Sequence, residues 1–151
     1  MRVRRFRPAD AKQCSRIIIK NFLKVNNKED PKKTIQILVD SSTPEDIIVK
    51  SKKRHHFVAV EKGKVVGIGG YKDDVLHTFF VDPSMHGKGI GKALLARTLK
   101  EAKKEGIRVM KCNSSLYAEK FYASCGFRKI RKKKIPFHGS TLTYIDMRKR
   151  L

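Results

Sequence analysis

The stretch Val81–Leu95 reads VDPSMHGKGIGKALL, and it joins the end of an apolar strand to the start of an amphipathic helix. Three glycines alternate through this turn, with two lysines beside them: Gly87, Gly89, Gly91, Lys88 and Lys92. Glycine permits left-handed backbone and close approach, so successive N–H groups can point at one anion. The N-terminus of the following helix adds a partial positive charge. The stretch therefore predicts a loop that holds a phosphate or pyrophosphate group.

Two common phosphate-binding loops do not fit this spacing. A Walker loop, G-x-x-x-x-G-K-[ST], counted from Gly87 would need its second glycine at the position of Lys92. A dinucleotide fingerprint, G-x-G-x-x-G, counted from Gly89 would need its third glycine at the position of Leu94. A glycine turn without a ligand is the remaining alternative, although such a turn costs backbone entropy without a gain in packing.

Outside this loop the apolar residues alternate between a period of two and a period of 3.6, which predicts an α/β or α+β fold. Strands are expected at about residues 3–7, 57–60, 65–68, 75–81, 107–112, 128–135 and 140–147. Helices are expected to begin after Pro8 and Asp10, at Thr43-Pro44 and after Gly91. Another is expected from Asp30-Pro31, with Asp30 as its N-cap. A short last helix, capped by residues 113–115, is expected to run through Tyr122.

The composition sets the class of the protein. A length of 151 residues predicts one domain, and no apolar run approaches the roughly 20 residues of a membrane span. Three cysteines without a C-x-x-C pair favour a reducing, cytoplasmic location. No apolar segment follows Met1, so no signal peptide is predicted.

The chain is strongly basic, with 36 Lys and Arg residues against 14 Asp and Glu residues and a formal net charge of +22. The densest run covers residues 128–134. Such charge attracts polyanions, including nucleic acid. A solvated lysine-rich surface is the favoured interpretation, because a charge run alone is a weak motif and aromatic residues do not repeat within it.

With the glycine loop in place, Val81–Leu95 resembles motif A of the GNAT N-acetyltransferase superfamily, V-x-P-x-x-R-G-x-G-[IV]-G-x-x-L-L. Phe121–Phe127 resembles the end of motif B, F-Y-x-x-x-G-F. The resemblance implies one acetyltransferase domain over residues 1–151, with a mixed, mostly antiparallel sheet of six to seven strands. This sheet would splay after its fourth strand and carry helices on both faces. The C-terminal segment is similar to that of small stand-alone members such as the YafP-like branch.

The resemblance also implies a cofactor, acetyl-CoA (coenzyme A), and direct acetyl transfer to a primary amine of a small molecule or peptide. The implied cofactor-binding residues are Phe79, Phe80, Val81, His86, Gly87, Lys88, Gly89, Ile90, Gly91, Lys92, Asn113, Ser115 and Tyr122. His86 departs from the family's Gln or Arg at the opening of the loop, where imidazole can still donate a hydrogen bond. Ser115 departs from a frequent Asn, for which Asn113 is a neighbouring substitute.

Acetyl transfer requires a neutral amine and an acid for the departing thiolate. Tyr122 occupies the family's tyrosine position and is the candidate acid, because a phenol stays protonated at neutral pH. A tyrosine that only packs in the core is the alternative.

His77 is the candidate base, and strand alternation places it on the same face as Phe79 and Val81. A half-buried structural histidine, or a water relay without a single base, are the alternatives. No metal is expected, because His55 and His56, interpreted as a surface pair, lack matching ligands.

The acceptor amine is not evident from the sequence, although the positive charge favours a neutral or anionic amine over a polyamine. Partners are therefore expected to be a small molecule or a peptide, with no membrane and with nucleic acid not favoured. The chain is expected to be a monomer or a homodimer. The alternative function is a basic CoA-binding or nucleic-acid-associated protein on the same scaffold with little catalysis.

Overall fold

A seven-stranded mixed sheet in the order β1-β2-β3-β4-β5-β7-β6 forms the centre of the molecule. The structure, a computed structural model, describes residues 1–151. Its strands are β1 Arg2–Arg5, β2 His55–Glu61, β3 Lys64–Lys72, β4 Val75–Val81, β5 Val109–Ser114, β6 Arg128–Phe137 and β7 Ser140–Arg150. Its helices are α1 Ala11–Lys24, α2 Lys32–Asp40, α3 Pro44–Ser51, α4 Ile90–Lys104 and α5 Glu119–Ser124. All neighbouring strands are antiparallel except β4 and β5.

Helices cover both faces of the sheet, as the resemblance implied. On one face, α1 and α3 pack with residues such as Ile17, Ile47 and Val58. On the other face, α4 and α5 pack with residues such as Phe57 and Leu94. Burial of these apolar faces is the main stabilising contribution. None of the helices is long and apolar enough to cross a lipid bilayer.

Most predicted elements are confirmed, and local chemistry explains them. Thr43 caps α3 with its side chain, and Asp46 completes a reciprocal capping box. The turn between β2 and β3 holds Gly63 at φ 77°, the left-handed conformation that glycine adopts without strain. Gly106, at φ 89°, ends α4 in the same way.

Two helix starts differ from the prediction. Asp30 is not the N-cap of α2; Pro31 holds that position, and the Asp30 carboxylate instead accepts the Thr143 N–H at 2.8 Å. The predicted cap residues 113–115 do not begin α5 either. Asn113 and Ser114 belong to β5. Ser115 Oγ accepts a hydrogen bond from the Ala118 N–H, in the turn that precedes the helix. In both cases a tertiary or turn hydrogen bond replaces the predicted cap.

A bulge in β4 changes which face its side chains occupy. Gly70 pairs with His77 and Ile68 pairs with Phe80, so β4 has one extra residue between the two pairs. Thr78 supplies it with φ at 53°, a costly conformation for a β-branched residue. Paired residues share a face, so His77 lies with Phe80 and opposite Phe79 and Val81. The prediction that His77 shares their face is wrong, because simple alternation assumes a strand without a bulge.

The sheet splays between β4 and β5, as the resemblance implied. Only one pair, Val75 and Lys111, is in register, and the Lys111 N–H donates to the Asp74 carbonyl at 2.7 Å. Beyond this point the two strands diverge. The edge of β4 from Phe79 to Val81 therefore lacks a partner strand on one side and borders an opening in the sheet.

Candidate functional site

A cleft of about 710 Å³ occupies the opening between β4 and β5. This volume is within the usual range for small-molecule sites, about 300–1,000 Å³. Residues from both faces of the sheet line it, including Phe22 and Asn21 of α1, Gly87 and Gly89 of the loop, and Tyr122 of α5. The cleft thus joins the glycine loop to the aromatic end of motif B, which the sequence separates by some thirty residues.

The glycine loop has the geometry of an anion cradle. Gly87 and Gly89 have φ values of 77° and 81°, and a Cβ atom on either would meet nothing within 4 Å. The first bond of α4 runs from the Ala93 N–H to the Gly89 carbonyl, and no side chain caps the helix. The N–H groups of residues 90–92 therefore have no helical acceptor and remain available to an anion. Lys88 and Lys92 are exposed beside them.

The carbonyl of Val81 is held in place by two side chains. Asn21 Nδ2 donates to it at 2.9 Å from α1, and His86 Nε2 lies 2.9 Å from it. On the other side of the strand, the Asp82 N–H donates to the Val66 carbonyl of β3 at 2.8 Å. Because successive residues alternate in direction, the Val81 N–H faces the cleft rather than β3. The arrangement fixes the end of the open strand edge.

His86 connects this strand end to α5, and its contacts define its tautomer. A carbonyl can only accept, so Nε2 carries the proton that goes to Val81. The Nδ1 atom then accepts a hydrogen bond from the hydroxyl of Tyr117 at 3.2 Å. The imidazole thus joins the start of the loop to the end of β4 through one donated hydrogen bond.

Tyr122 lies at the inner wall of the cleft. Only 5% of its surface is exposed, and its ring packs against those of Phe79, Phe121 and Phe127 at centroid distances of 6.0, 5.2 and 5.5 Å. Burial raises the pKa of its phenol well above the ordinary value, and the neighbouring Cys112 thiol adds to the shift. The phenol is therefore protonated at neutral pH. Burial also raises the pKa of Cys112 to about 12, which makes that thiol a poor nucleophile.

The other predicted residues also line the cleft, with different surroundings. Asn113 and Ser115 lie on its β5 side, although Ser115 Oγ is engaged with the Ala118 N–H. His77 lines the cleft from the face that α1 covers. Burial first, and then the charge of Arg54, lowers the pKa of His77, so the imidazole is neutral at neutral pH.

Among the cleft residues that were not predicted from the sequence are Asn21, Glu29 and Asp30. Asn21 did carry a signal, since it is a polar residue on the apolar stripe of α1, four positions after Ile17. Glu29 accepts the Leu116 N–H, and Asp30 accepts the Thr143 N–H. These two carboxylates tie the loop after α1 to the far side of the cleft. Burial raises the pKa of Asp30 despite its hydrogen bond.

The densest basic run lies away from the cleft in β6, an edge strand of the sheet. Its side chains from Arg128 to Lys132 are all exposed. Lysine and arginine on an edge strand discourage pairing with another chain. This gives the run a structural use that does not require a nucleic-acid partner.

Comparison with known proteins gives one family and many related folds. A family model described as an acetyltransferase (GNAT) domain matches residues 20–151. No curated protein matches the chain significantly.

Three solved structures illustrate the likeness of fold. A GCN5-related N-acetyltransferase of Rhodopseudomonas palustris, described as a class-II aminotransferase, has 19% identity and a TM-score of 0.90, covering 99% of this chain and 95% of that chain. The PaiA N-acetyltransferase of Thermoplasma acidophilum in complex with coenzyme A has 19% identity and a TM-score of 0.77, with coverages of 99% and 98%. The phosphinothricin acetyltransferase of Sinorhizobium meliloti in complex with acetyl-CoA has 20% identity and a TM-score of 0.71, with coverages of 99% and 88%.

Proposed function

The chain belongs to the GNAT acetyltransferase family, and from this premise we propose that it transfers the acetyl group of acetyl-CoA directly to a primary amine of a small molecule or peptide. One observation carries the proposal. The glycine loop and its free N–H groups lie at one end of a cleft that the open edge of β4 borders. Two structures of similar fold hold coenzyme A or acetyl-CoA.

The part of the cleft from the glycine loop to Val81 suits successive parts of acetyl-CoA, from the pyrophosphate to the thioester. The N–H groups of residues 90–92 and the charges of Lys88 and Lys92 suit the pyrophosphate. The free strand edge from Phe79 to Val81 suits the amides of the pantetheine arm, which would add to the sheet as an extra strand does. The N–H of Val81 faces the cleft and can polarise the thioester carbonyl.

Tyr122 is the proposed acid. When bound, acetyl-CoA supplies an activated thioester whose C–S bond breaks as the new C–N bond forms. Tyr122 holds its proton at neutral pH because burial raises the pKa of the phenol. Tyr122 lines the cleft, and its ring lies beside that of Phe79. Phe79 belongs to β4, the strand that borders the proposed thioester position. The Tyr122 hydroxyl would give its proton to the departing sulfur.

His77 is the proposed base on the acceptor side. The amine nitrogen must lose a proton during the transfer, and a neutral imidazole can accept that proton directly or through water. His77 lines the cleft from the α1 face, opposite the face of Val81. The acceptor would therefore approach through the opening in the sheet, with acid and base on different sides of the reacting atoms.

The His77→Gln variant is expected to lower kcat/KM about tenfold at neutral pH, less than the roughly 100-fold low end of general acid–base catalysis, since a base of lowered pKa is weak. The base acts only when neutral, and its pKa lies below the ordinary value of about 6.5. With kcat/KM expressed for the neutral amine, the wild-type protein should therefore lose activity as the pH falls below that ordinary value. The variant should lose this acid limb from its pH–rate profile.

The matched control for this experiment is His55→Gln. His55 stacks on Tyr71 and lies 3.0 Å from Glu105, outside the cleft. It should leave both kcat/KM and the pH profile unchanged. If His77→Gln and the wild type have the same pH profile, His77 is not the base, and a water relay removes the proton from the amine.

Binding of acetyl-CoA tests the proposed function as a whole. Calorimetry at two salt concentrations, with ATP and a short RNA as competitors, should give dissociation constants of about micromolar order that persist in the presence of ATP. A screen of primary amines that detects released thiol then tests turnover. Absence of acetyl-CoA binding together with salt-sensitive RNA binding would contradict the proposal and favour the nucleic-acid alternative.

A further inference from the structure

A second cavity of about 130 Å³ adjoins the cleft on the face of the sheet that α1 and α3 cover. We call it the side cavity. It shares a wall with the cleft, and four residues line both: Phe22, Leu38, Thr78 and Phe80. The side cavity is therefore next to the acceptor side of the proposed reaction, beyond the bulge of β4.

His56 faces the side cavity with no hydrogen-bond partner. Only 4% of His56 is exposed, and neither ring nitrogen has a partner. This corrects the sequence interpretation of His56 as a surface residue: β2 is an inner strand, and its inward positions are covered. The ring lies over Gly70, where a Cβ atom would come within 2.4 Å of Cδ2. A polar group buried in this way needs a hydrogen-bond partner, which a molecule in the side cavity would supply.

Two cationic side chains and a second histidine lie around His56. Lys50 of α3 lines the side cavity, and its Nζ donates to the Ser41 carbonyl at 3.1 Å. Arg54, before β2, donates to Thr78 Oγ1 at 3.0 Å. His77 extends from β4 on the same face, because Gly70 pairs with both histidines. Burial, followed by the charge of Arg54, lowers the pKa of His56 to about 4.

No carboxylate lines the side cavity to balance these charges. Asp46 acts on Lys50 from the same helix, but its carboxylate is engaged in the capping box with Thr43. Asp73 acts on His77 from the turn before β4. The side cavity thus combines an unpartnered imidazole with a surplus of positive charge. An anion would accept a hydrogen bond from the protonated ring nitrogen and would balance the charge.

We propose that the side cavity binds a carboxylate of the acceptor, so that the acceptor is an amine that also carries a carboxylate. This inference rests on the proposed acetyl transfer and names its substrate class. Val81, at the proposed thioester position, is three positions after Thr78, at the side cavity. That length of strand spans about 10 Å at most. The amine and the carboxylate should therefore be several bonds apart, as in ω-amino acids or short peptides.

Binding of the carboxylate can be measured without any turnover. Histidine NMR titrations with 6-aminohexanoate, hexylamine or inorganic phosphate should show one selective effect. With 6-aminohexanoate the resonances of His56 shift and its titration midpoint moves upward, because a bound anion stabilises the imidazolium over the repulsion of Lys50, Arg54 and His77. Hexylamine, which has the same chain without the carboxylate, should leave His56 unchanged. A response to phosphate alone would overturn the assignment to an acceptor carboxylate.

Variants of two neighbouring lysines provide the second measurement. Lys50→Gln should raise the KM for 6-aminohexanoate about tenfold, the effect of losing one charge-assisted hydrogen bond, without changing the KM for hexylamine. Lys52→Gln is the matched control, because Lys52 is exposed and lies outside the side cavity. Equal effects of Lys50→Gln on both amines would overturn the proposal.

The two proposals fail in distinguishable ways. If His56 does not respond to 6-aminohexanoate while calorimetry still detects acetyl-CoA, the side cavity holds only water and the carboxylate proposal is overturned. If acetyl-CoA does not bind, the proposed function itself is overturned, whatever His56 shows.

Discussion

The Gly89→Glu variant is expected to bind acetyl-CoA at least about 100-fold more weakly than the wild-type protein, a loss of about 2.7 kcal/mol. Gly89 is the N-cap of α4 and has φ at 81°, where any residue with a Cβ atom is strained. A carboxylate at this position would also occupy the anion cradle and repel a pyrophosphate. Calorimetric titration of acetyl-CoA measures the loss directly.

Gly63→Glu separates loss of binding from loss of stability. Gly63 has φ at 77°, and a Cβ atom there would also meet nothing within 4 Å. It lies in the turn between β2 and β3, far along the chain from the loop. Both variants should therefore lower the melting temperature by similar amounts, while Gly63→Glu keeps its affinity for acetyl-CoA. Retained affinity in Gly89→Glu would show that the pyrophosphate does not use this loop.

The Tyr122→Phe variant is expected to lower kcat about 100-fold, the low end of general acid catalysis, because a thiolate is already a fair leaving group. The affinity for acetyl-CoA should change less than about fivefold, since one neutral hydrogen bond contributes about 1 kcal/mol or less. The packing against Phe79, Phe121 and Phe127 is preserved by phenylalanine. Steady-state kinetics and calorimetry on the same preparation distinguish the two quantities.

Tyr71→Phe is the matched control for this substitution. Tyr71 belongs to the same apolar cluster and is fully buried, but its hydroxyl donates to Glu105 at 2.7 Å, outside the cleft. It should lose some stability and keep its kcat. Equal losses of kcat and of acetyl-CoA affinity in Tyr122→Phe would contradict the acid role and leave Tyr122 as a packing residue.

Much of the candidate site could be predicted because its signals are local. The loop from Gly87 to Lys92 and the motif from Phe121 to Phe127 are each contiguous in sequence, and residues of each line the cleft. Asn21 could also have been identified from the sequence, as a polar residue on the apolar stripe of α1. Asp30 could not, because its role depends on Thr143, more than a hundred residues away. The sequence pattern at Asp30-Pro31 is equally typical of a helix cap.

His77 shows how a single backbone feature changes an inference. Its position in β4 was predicted correctly, but its face was not, since Thr78 adds one residue to the strand. No signal in the sequence marks that bulge, and a threonine at positive φ is an unfavourable local choice. The hydrogen bond from Arg54 to Thr78 helps to hold it. The bulge places His77 on the acceptor side together with Phe80.

The sequence by itself determined the glycine loop, the helix that follows it, the strand order along the chain and the family motifs. These depend on dihedral preferences, apolar periodicity and helix ends, which are properties of neighbouring residues. Only the tertiary structure decided the face of His77, the bonds of Asn21 and His86 to Val81, and the burial of His56 in a positive cavity. Each of these depends on the register and packing of elements far apart in the chain, and a period in the sequence does not specify which distant group a side chain meets.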